Sequence, residues 1–324
     1  MDEPTVQPGA DDDRAGPRRP PALLRGVIAP EAGFLWGASC LALVLGAWYL
    51  VTAPLVPLPP ADLALAPAER AYAPLVSPVM LPGPGAVFEA VPEVFARRRL
   101  LANTLVTLKR VVLGFGLAAL VGVPLGVAAA CFPAVRAFLY PVTIFGRNIP
   151  VAALIPLTFF LFGIGEFQKV MFLFVASVAF IISDATAAVL EVPQRYVDTA
   201  LTLGASRLQI ILKVLAPLAA PAIFNSLRLL FGLAFGYVML AELVKFGSDS
   251  GGLGDLINVS QRRGEREPIL IVLIVIPILA YAIDRALWWL QCDLFPYRYG
   301  GRGRLKRLVH RLVYPPLVRT EFRP

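Results

Sequence analysis

Runs of apolar residues long enough to cross a membrane constrain this chain more than any other feature. A hydrocarbon core roughly 30 Å thick needs about 20 apolar residues of helix per crossing. Such runs lie at residues 34–53, 103–131, 137–162, 168–190, 217–243 and 268–290. Backbone N–H and C=O groups inside a bilayer must be satisfied by the protein itself. The sequence therefore predicts an all-α polytopic membrane protein with about six transmembrane helices.

Composition and charge agree with that fold class. The chain is 57% apolar and 16% charged, whereas soluble domains are about 45–50% apolar and about 25% charged. Its net charge of +8 raises the possibility of nucleic-acid binding, but the basic residues gather in tails and loops beside the spans. Since Lys and Arg are more numerous in one set of connecting segments, we expect both termini in the cytoplasm.

The ends of the chain differ from its middle. Residues 1–33 are polar and predict a disordered cytoplasmic tail. Residues 34–290 predict a transmembrane domain, and residues 291–324 predict a basic cytoplasmic tail. The first apolar run is too long for a secretory signal core. The acidic run at residues 11–13 is interpreted as a solvated patch, and the cysteines lack metal-type spacing.

Proline and glycine predict irregularities in and between the spans. Residues 54–97 are too rich in proline to cross as a helix, although residues 85–97 can form a surface helix. Span three must be kinked or interrupted because it contains Pro141, Pro150 and Pro156. Span two offers glycines for close helix contacts, and Lys109 and Arg110 near its start are expected to snorkel. These glycines are Gly114, Gly116, Gly122 and Gly126.

A polar stretch, "DTALTLGASRLQIILKVLAPLAAP" at residues 198–221, separates spans four and five. Its apolar residues recur every three to four positions, which predicts an amphipathic helix, with a hinge at Gly204 as one possibility. Pro217 and Pro221 fall near the start of span five, where a helix tolerates them. Such a helix either lies on the lipid headgroups or docks in a groove of a cytoplasmic partner.

This stretch resembles the cytoplasmic signature of ABC importer permeases. The signature is Glu-Ala-Ala, three residues, Gly, nine residues, then Ile-x-Leu-Pro. The corresponding positions hold Asp198, Thr199, Ala200, Gly204, Val214, Leu215, Ala216 and Pro217. Asp198, Thr199, Val214 and Ala216 depart from the signature, while the glycine-to-proline spacing matches. "TLKRVVLGFGLAALVGVPLGV", "IPVAALIPLTFFLFGIGEFQKV" and "AELV" with "GGLGDLI" resemble the subfamily serving nitrate, taurine and aliphatic sulfonates, over residues 81–290.

The resemblance implies a bacterial-type inner (plasma) membrane location, a coupling helix and a set of partners. In this family two permeases pair, here expected as a homodimer, and each inserts its coupling helix into a cytoplasmic ABC ATPase dimer. ATP and Mg belong to that ATPase, so the chain is expected to hold no cofactor and to be no enzyme. A periplasmic or lipid-anchored solute-binding protein delivers a small solute, such as nitrate, sulfonate or taurine. The predicted coupling residues are Asp198, Ala200, Leu201, Gly204, Ala205, Leu208 and Pro217.

Charged and amide side chains inside the spans are candidates for the translocation path, because burying them in lipid costs about 2.5–3.5 kcal/mol each. They are Arg147, Asn148, Asp184, Asn225, Arg228 and Glu242. The competing interpretation is structural pairing, such as Arg228 with Asp184 or Glu242. Arg147 lies beside predicted broken backbone, where a cation can attract an anionic solute.

Other functions find less support in the sequence. A membrane enzyme lacks a catalytic set, since the one histidine is His310 in the basic tail. A secondary transporter or channel for a small ion can use Arg147, Asp184 and Glu242, but it gives no reason for the stretch at residues 198–217. Residues 246–264 contain "GSDSGGLGD" without the lysine of a P-loop, and are interpreted as a loop on the outer side.

Overall fold

The computed structural model describes residues 30–57, 72–244 and 251–299. The acidic run at residues 11–13, His310 and most of both predicted tails lie outside these residues. The chain divides at Pro84 into two compact units, which are taken in turn.

The first unit contains one long helix and a short β-ribbon. Helix α1 is Pro30–Thr52, followed by strands β1, Pro54–Pro57, and β2, Tyr72–Pro74, which pair antiparallel. The ribbon was not predicted from the proline-rich sequence. Within this unit the Trp48 indole donates to the carbonyl of Pro82 at 3.2 Å.

The second unit is helical throughout its described residues. Its helices are α2 Pro84–Ala96, α3 Leu100–Cys131, α4 Pro133–Asn148, α5 Leu154–Phe162, α6 Glu166–Leu190, α7 Gln194–Thr202, α8 Arg207–Gln209, α9 Ala216–Leu243, α10 Leu253–Arg263, α11 Glu267–Leu294 and α12 Pro296–Tyr299. A 3₁₀ turn, Val151–Ala153, joins α4 to α5, and a π-helical turn, Ile210–Leu215, joins α8 to α9.

The number of membrane-crossing helices agrees with the prediction. Among the described residues five helical segments are long and apolar enough to cross a membrane, and a sixth crossing exists if α4 and α5 form one span. These two helices meet at a bend of 98°. The interruption lies at Ile149 and Pro150, as predicted, because proline disfavours helical conformation in the residue before it, and Ile149 is extended. The protein is thus a nearly all-helical polytopic membrane protein.

Close packing of α3 against α6 forms the centre of the second unit. A Cβ on Gly126 would lie 2.6 Å from the Cβ of Ala185, and a Cβ on Gly114 would lie 2.7 Å from that of Leu173. Only residues without a side chain permit such an approach. Gly122 makes a similar contact, whereas Gly116 faces open space, so the predicted role in helix contact is confirmed for three of these glycines and wrong for Gly116.

The predicted loop at residues 246–264 is wrong in its second half. Helix α10 occupies Leu253–Arg263 and ends at Gly264, whose φ of 73° is the left-handed conformation typical of a helix C-terminus. The remaining described part of that segment, Gly251 and Gly252, also has positive φ. Helix α10 packs against α3, α9 and α11, so these residues belong to the helical body.

Candidate functional site

The connection between α6 and α9 begins with α7, which ends in a glycine-dependent turn. Gly204 has a φ of 76°, and its N–H donates to the carbonyl of Leu201 at 2.9 Å. The N–H of Ala205 donates to the carbonyl of Ala200 at 3.0 Å. These two bonds form a Schellman motif, which satisfies carbonyls at the end of a helix. The chain is therefore hinged at Gly204, as the sequence indicated.

A new helix starts directly after this turn. The Ser206 side chain accepts from the N–H of Gln209 at 3.4 Å, and the Gln209 side chain accepts from the N–H of Ser206 at 2.9 Å. This reciprocal pair is a capping box. From Arg207 the helix continues through the π-helical turn into α9 and ends at Leu243. The helix that carries the predicted span five therefore starts ten positions before residue 217.

Apolar side chains of this connection are exposed. Leu201, Leu203 and Leu208 are 55%, 82% and 65% exposed, although they lie in the most polar part of the chain between two spans. Of the other predicted coupling residues, Asp198 and Pro217 are exposed, Ala205 is half-buried and Ala200 is buried. A Cβ on Gly204 would meet no atom within 4 Å. We name Gln194–Gln209 the coupling segment.

A cleft of about 600 Å³ lies between α4 and α6. Arg136, Tyr140, Thr143 and Arg147 line it from α4. Their spacing of four, three and four residues places them on one face of the helix. The two guanidinium-bearing positions are therefore about 16 Å apart along the helix axis. The cleft is thus a mainly apolar groove with a cation near each end.

Arg147 is held by α6 but remains open to the cleft. Its guanidinium donates to the hydroxyl of Ser183, lies 3.7 Å from the carboxylate of Asp184 and stacks on the ring of Phe180. Its side chain is 43% exposed and that of Asp184 is 30% exposed. Asn148 also lines the cleft, and its amide donates to the carbonyl of Ile144. The structure therefore brings together three of the predicted path residues.

Arg136 closes the other end of the groove. Its guanidinium donates to the carbonyls of Ala129 and Ala130 at 3.0 and 2.8 Å, where α3 ends. A cation at this position complements the negative end of the helix dipole. Arg136 was not among the residues predicted for the path, although its spacing from Arg147 is visible in the sequence.

Glu242 lies in a buried network away from this cleft. Its side chain is fully buried and its carboxylate accepts from the Arg110 guanidinium at 2.6 Å and from the Thr107 hydroxyl at 2.9 Å. Arg110 also pairs with Glu166 and donates to the carbonyl of Gly251 at 2.7 Å. The expectation that Arg110 snorkels to the surface is wrong, because internal partners satisfy its charge.

The same network holds the first turn of α10. The N–H groups of Gly252, Leu253 and Gly254 donate to the side chains of Asn103, Thr107 and Glu242, respectively, at 2.9–3.0 Å. Helix N-termini leave such donors without backbone partners and favour negative charge. Asn103, Thr107 and Arg110 follow a spacing of four and three residues on α3, so a polar stripe in span two was the available signal for this cluster.

The partners predicted for Arg228 are also wrong. Arg228 forms a salt bridge of 2.8 Å with Asp284 and donates to Gln291 at 3.0 Å, both on α11. Asn225 is half-buried one turn earlier on α9. Neither residue lines the cleft at Arg147. Among the described residues, no group of three His, Cys, Asp or Glu side chains is placed to hold a metal.

Comparison with known sequences connects this architecture with membrane transport. Residues 122–290 match the family described as "Binding-protein-dependent transport system inner membrane component". The chain is 33% identical over 228 residues to the taurine transport system permease protein TauC of Escherichia coli (strain K12), covering 69% of this chain and 82% of that protein. A putative ABC transporter permease protein of Methanocaldococcus jannaschii is 30% identical, covering 68% of this chain and 84% of that protein.

A bicarbonate transport system permease protein, CmpB of Synechococcus elongatus, is 29% identical over 58% of this chain and 67% of its own length. Among solved structures, a chain of the inward-facing MetNI methionine ABC transporter superposes with a TM-score of 0.52 at 24% identity, covering 58% of this chain and 92% of that chain. A chain of an amino acid ABC transporter superposes with a TM-score of 0.53 at 16% identity, covering 62% and 96%. These superpositions show a shared fold.

Proposed function

Because the chain belongs to the family of inner-membrane components of binding-protein-dependent transport systems, we propose that it forms the translocation path of an ATP-driven importer for a small oxyanion. A second copy completes the path, a cytoplasmic ABC ATPase dimer binds ATP and Mg, and a periplasmic or lipid-anchored protein delivers the solute. Both termini then lie in the cytoplasm. A permease of this kind performs no chemistry and supplies a gated route.

The observation that carries this proposal is the coupling segment. Three exposed leucines surround a capped turn at Gly204, and helix-in-groove recognition uses such apolar anchors. The helix that follows runs without a break from Arg207 to Leu243. A displacement imposed on the coupling segment is therefore passed directly to span five. Together these features match what an ATPase-driven permease requires of its cytoplasmic contact.

The cleft between α4 and α6 supports an anionic solute. Arg147 stacks on an aromatic ring and is matched by one partly exposed acid, Asp184, at 3.7 Å. A guanidinium that keeps an open face binds carboxylate, sulfonate or bicarbonate oxygens through directed N–H groups. The relatives named for taurine and bicarbonate transport carry solutes with such oxygens. We propose that Arg147 contacts the solute, with Asn148 and Asp184 beside it.

The coupling role is tested by placing a charge on the most exposed leucine. Leu203→Asp removes no packing, because Leu203 is 82% exposed, so the chain should still insert normally. We expect co-purification of the ATPase with this variant to fall at least tenfold and uptake to stop. The matched control is Leu75→Asp, at a leucine that is 66% exposed outside the coupling segment. Normal ATPase binding by Leu203→Asp would refute the docking role.

The solute class is tested by uptake of labelled taurine, bicarbonate and nitrate into vesicles containing the complete transporter. Arg147→Gln keeps an N–H donor but shortens the side chain and removes the charge, so uptake of the transported anion should fall at least tenfold while ATPase assembly is retained. Arg263→Gln, on the exposed end of α10, serves as the control. Unchanged uptake by Arg147→Gln would remove this residue from the path. Uptake that survives loss of the ATPase would instead support a channel or secondary transporter.

A further inference from the structure

Two prolines weaken the base of α9, next to the coupling segment. Proline has no N–H, so Pro221 supplies no donor to the carbonyl of Pro217, its partner four residues back. Pro217 likewise supplies none to the carbonyl of Lys213. The chain here adopts a π-helical turn in which the N–H of Ala216 donates to the carbonyl of Ile211, five residues back. The base of span five is thus the least regular part of this long helix.

Residues in the last turn of α11 and directly after it supply bonds to this base. The Tyr297 hydroxyl donates to the carbonyl of Pro217 at 2.8 Å, the carbonyl that Pro221 leaves without its helical donor. The Gln291 amide donates to the carbonyl of Pro221 at 3.2 Å. Phe295 packs edge-on against Phe224 of α9, with ring centroids 5.9 Å apart. We name Gln291, Phe295 and Tyr297 the C-terminal clamp.

The clamp is itself held in place. Gln291 is 1% exposed, its carbonyl accepts from Arg228 at 3.0 Å, and its amide donates to the Tyr299 hydroxyl at 3.0 Å. Arg228 is fixed by Asp284. The bonds of Arg228 to Asp284 and Gln291 join α9 to α11, and the bond of Gln291 to Tyr299 joins α11 to α12. Helices α9 and α11 are therefore bonded together where α9 is weakest.

We propose that the C-terminal clamp transmits coupling: it stiffens the proline-weakened base of α9, so that movement of the coupling segment displaces span five and α11 together. This inference rests on the proposed function. Tyr297 is a positioning residue, since its proposed role involves contact with α9 and not with solute or nucleotide. Without its hydroxyl, the base of α9 can bend at Pro217 and absorb the displacement.

The first test measures local stiffness. Tyr297→Phe removes one hydrogen bond and keeps the ring that contacts Phe295. Hydrogen exchange of the backbone amides at residues 210–225, measured in the purified full chain with its ATPase, should become about 3- to 10-fold faster, the effect of losing one net hydrogen bond. Tyr281→Phe is the matched control, because Tyr281 is 68% exposed on α11. Exchange equal to that of the control would overturn the proposal.

The second test measures coupling without knowledge of the solute. Thr143→Cys reports access to the cleft through labelling by a charged thiol reagent, with the natural cysteines replaced by alanine in every sample. ATP with vanadate should change this labelling rate in the otherwise unchanged transporter. In Tyr297→Phe the ATPase should still bind and hydrolyse ATP, but the change in labelling should shrink at least threefold. A full change in labelling by Tyr297→Phe would contradict transmission through the clamp.

Different results would refute the proposed function and the role of the clamp. If the ATPase does not bind even the unaltered chain, the proposed function fails, and the exchange measurement on the permease alone still decides whether the clamp stiffens α9. If the ATPase binds and drives labelling in the unaltered chain while Tyr297→Phe behaves like Tyr281→Phe in both assays, only the clamp is refuted.

Discussion

Replacing Arg110 by methionine should destabilise the protein far more than replacing its neighbour Lys109. Arg110 is 1% exposed and holds Glu242, whose side chain is fully buried. Removing one partner of a buried pair costs about 3–5 kcal/mol, because the other charge is left uncompensated. Glu242 keeps the Thr107 hydroxyl and the N–H of Gly254, so we expect the lower end, about 3 kcal/mol.

Replacing the other member of the pair, Glu242, should cost less. Glu242→Gln leaves Arg110 paired with the partly exposed Glu166, so the loss is that of a charge-assisted hydrogen bond, about 1.5–3 kcal/mol. The free energy of unfolding is measured by SDS titration in mixed micelles for both variants, their combination and Lys109→Met. In the double variant the costs should fall short of additivity by at least about 1 kcal/mol. Additive costs, or an Arg110→Met cost equal to that of Lys109→Met, would refute the network.

Further predictions concern helix packing and pH. Gly126→Ala places a methyl group 2.6 Å from the Cβ of Ala185 and should cost about 1–3 kcal/mol of unfolding free energy. Gly116→Ala, in open space, should cost nothing in the same titration. Equal effects of the two substitutions would contradict the packing of α3 against α6. Burial raises the pKa of Tyr297, so its neutral, donating form persists at least up to the usual value near 10. The clamp's contribution to hydrogen-exchange protection should therefore stay constant to about pH 9 and fall only as the pH rises through the raised pKa; a loss below pH 8 would contradict this.

Features governed by local chemistry were predictable from residue order. The break near Pro150 and the hinge at Gly204 depend on the conformations open to those residues, and both appear in the structure. The start of the helix that carries span five was missed, since a π-helical turn lets the helix continue where the prolines indicated a boundary. Helix α10 was missed because "LGDLINVSQRR" is polar and follows glycines.

The partners of buried charges were the least predictable part. Arg110 was assigned to the surface from its position near the end of a span, and Arg228 to acids that lie elsewhere. Such pairings depend on how each helix is rotated and which helix lies beside it, and nothing in the spacing along one helix carries that information. The clamp has the same origin, since it joins Tyr297 to a carbonyl 80 residues away.

The amino-acid sequence by itself determined that this protein is helical and crosses a membrane, because apolar runs of that length have no other way to satisfy their backbone in lipid. It also determined the turn at Gly204 and the resemblance to importer permeases, because both depend only on short stretches of the chain. Only the tertiary structure decided that Arg136 and Arg147 line one cleft and that Glu242 caps α10 instead of facing that cleft. It also decided that Gln291 and Tyr297 bond to the base of span five. The physical reason is distance along the chain: these contacts join helices whose relative position is fixed by packing of the whole bundle.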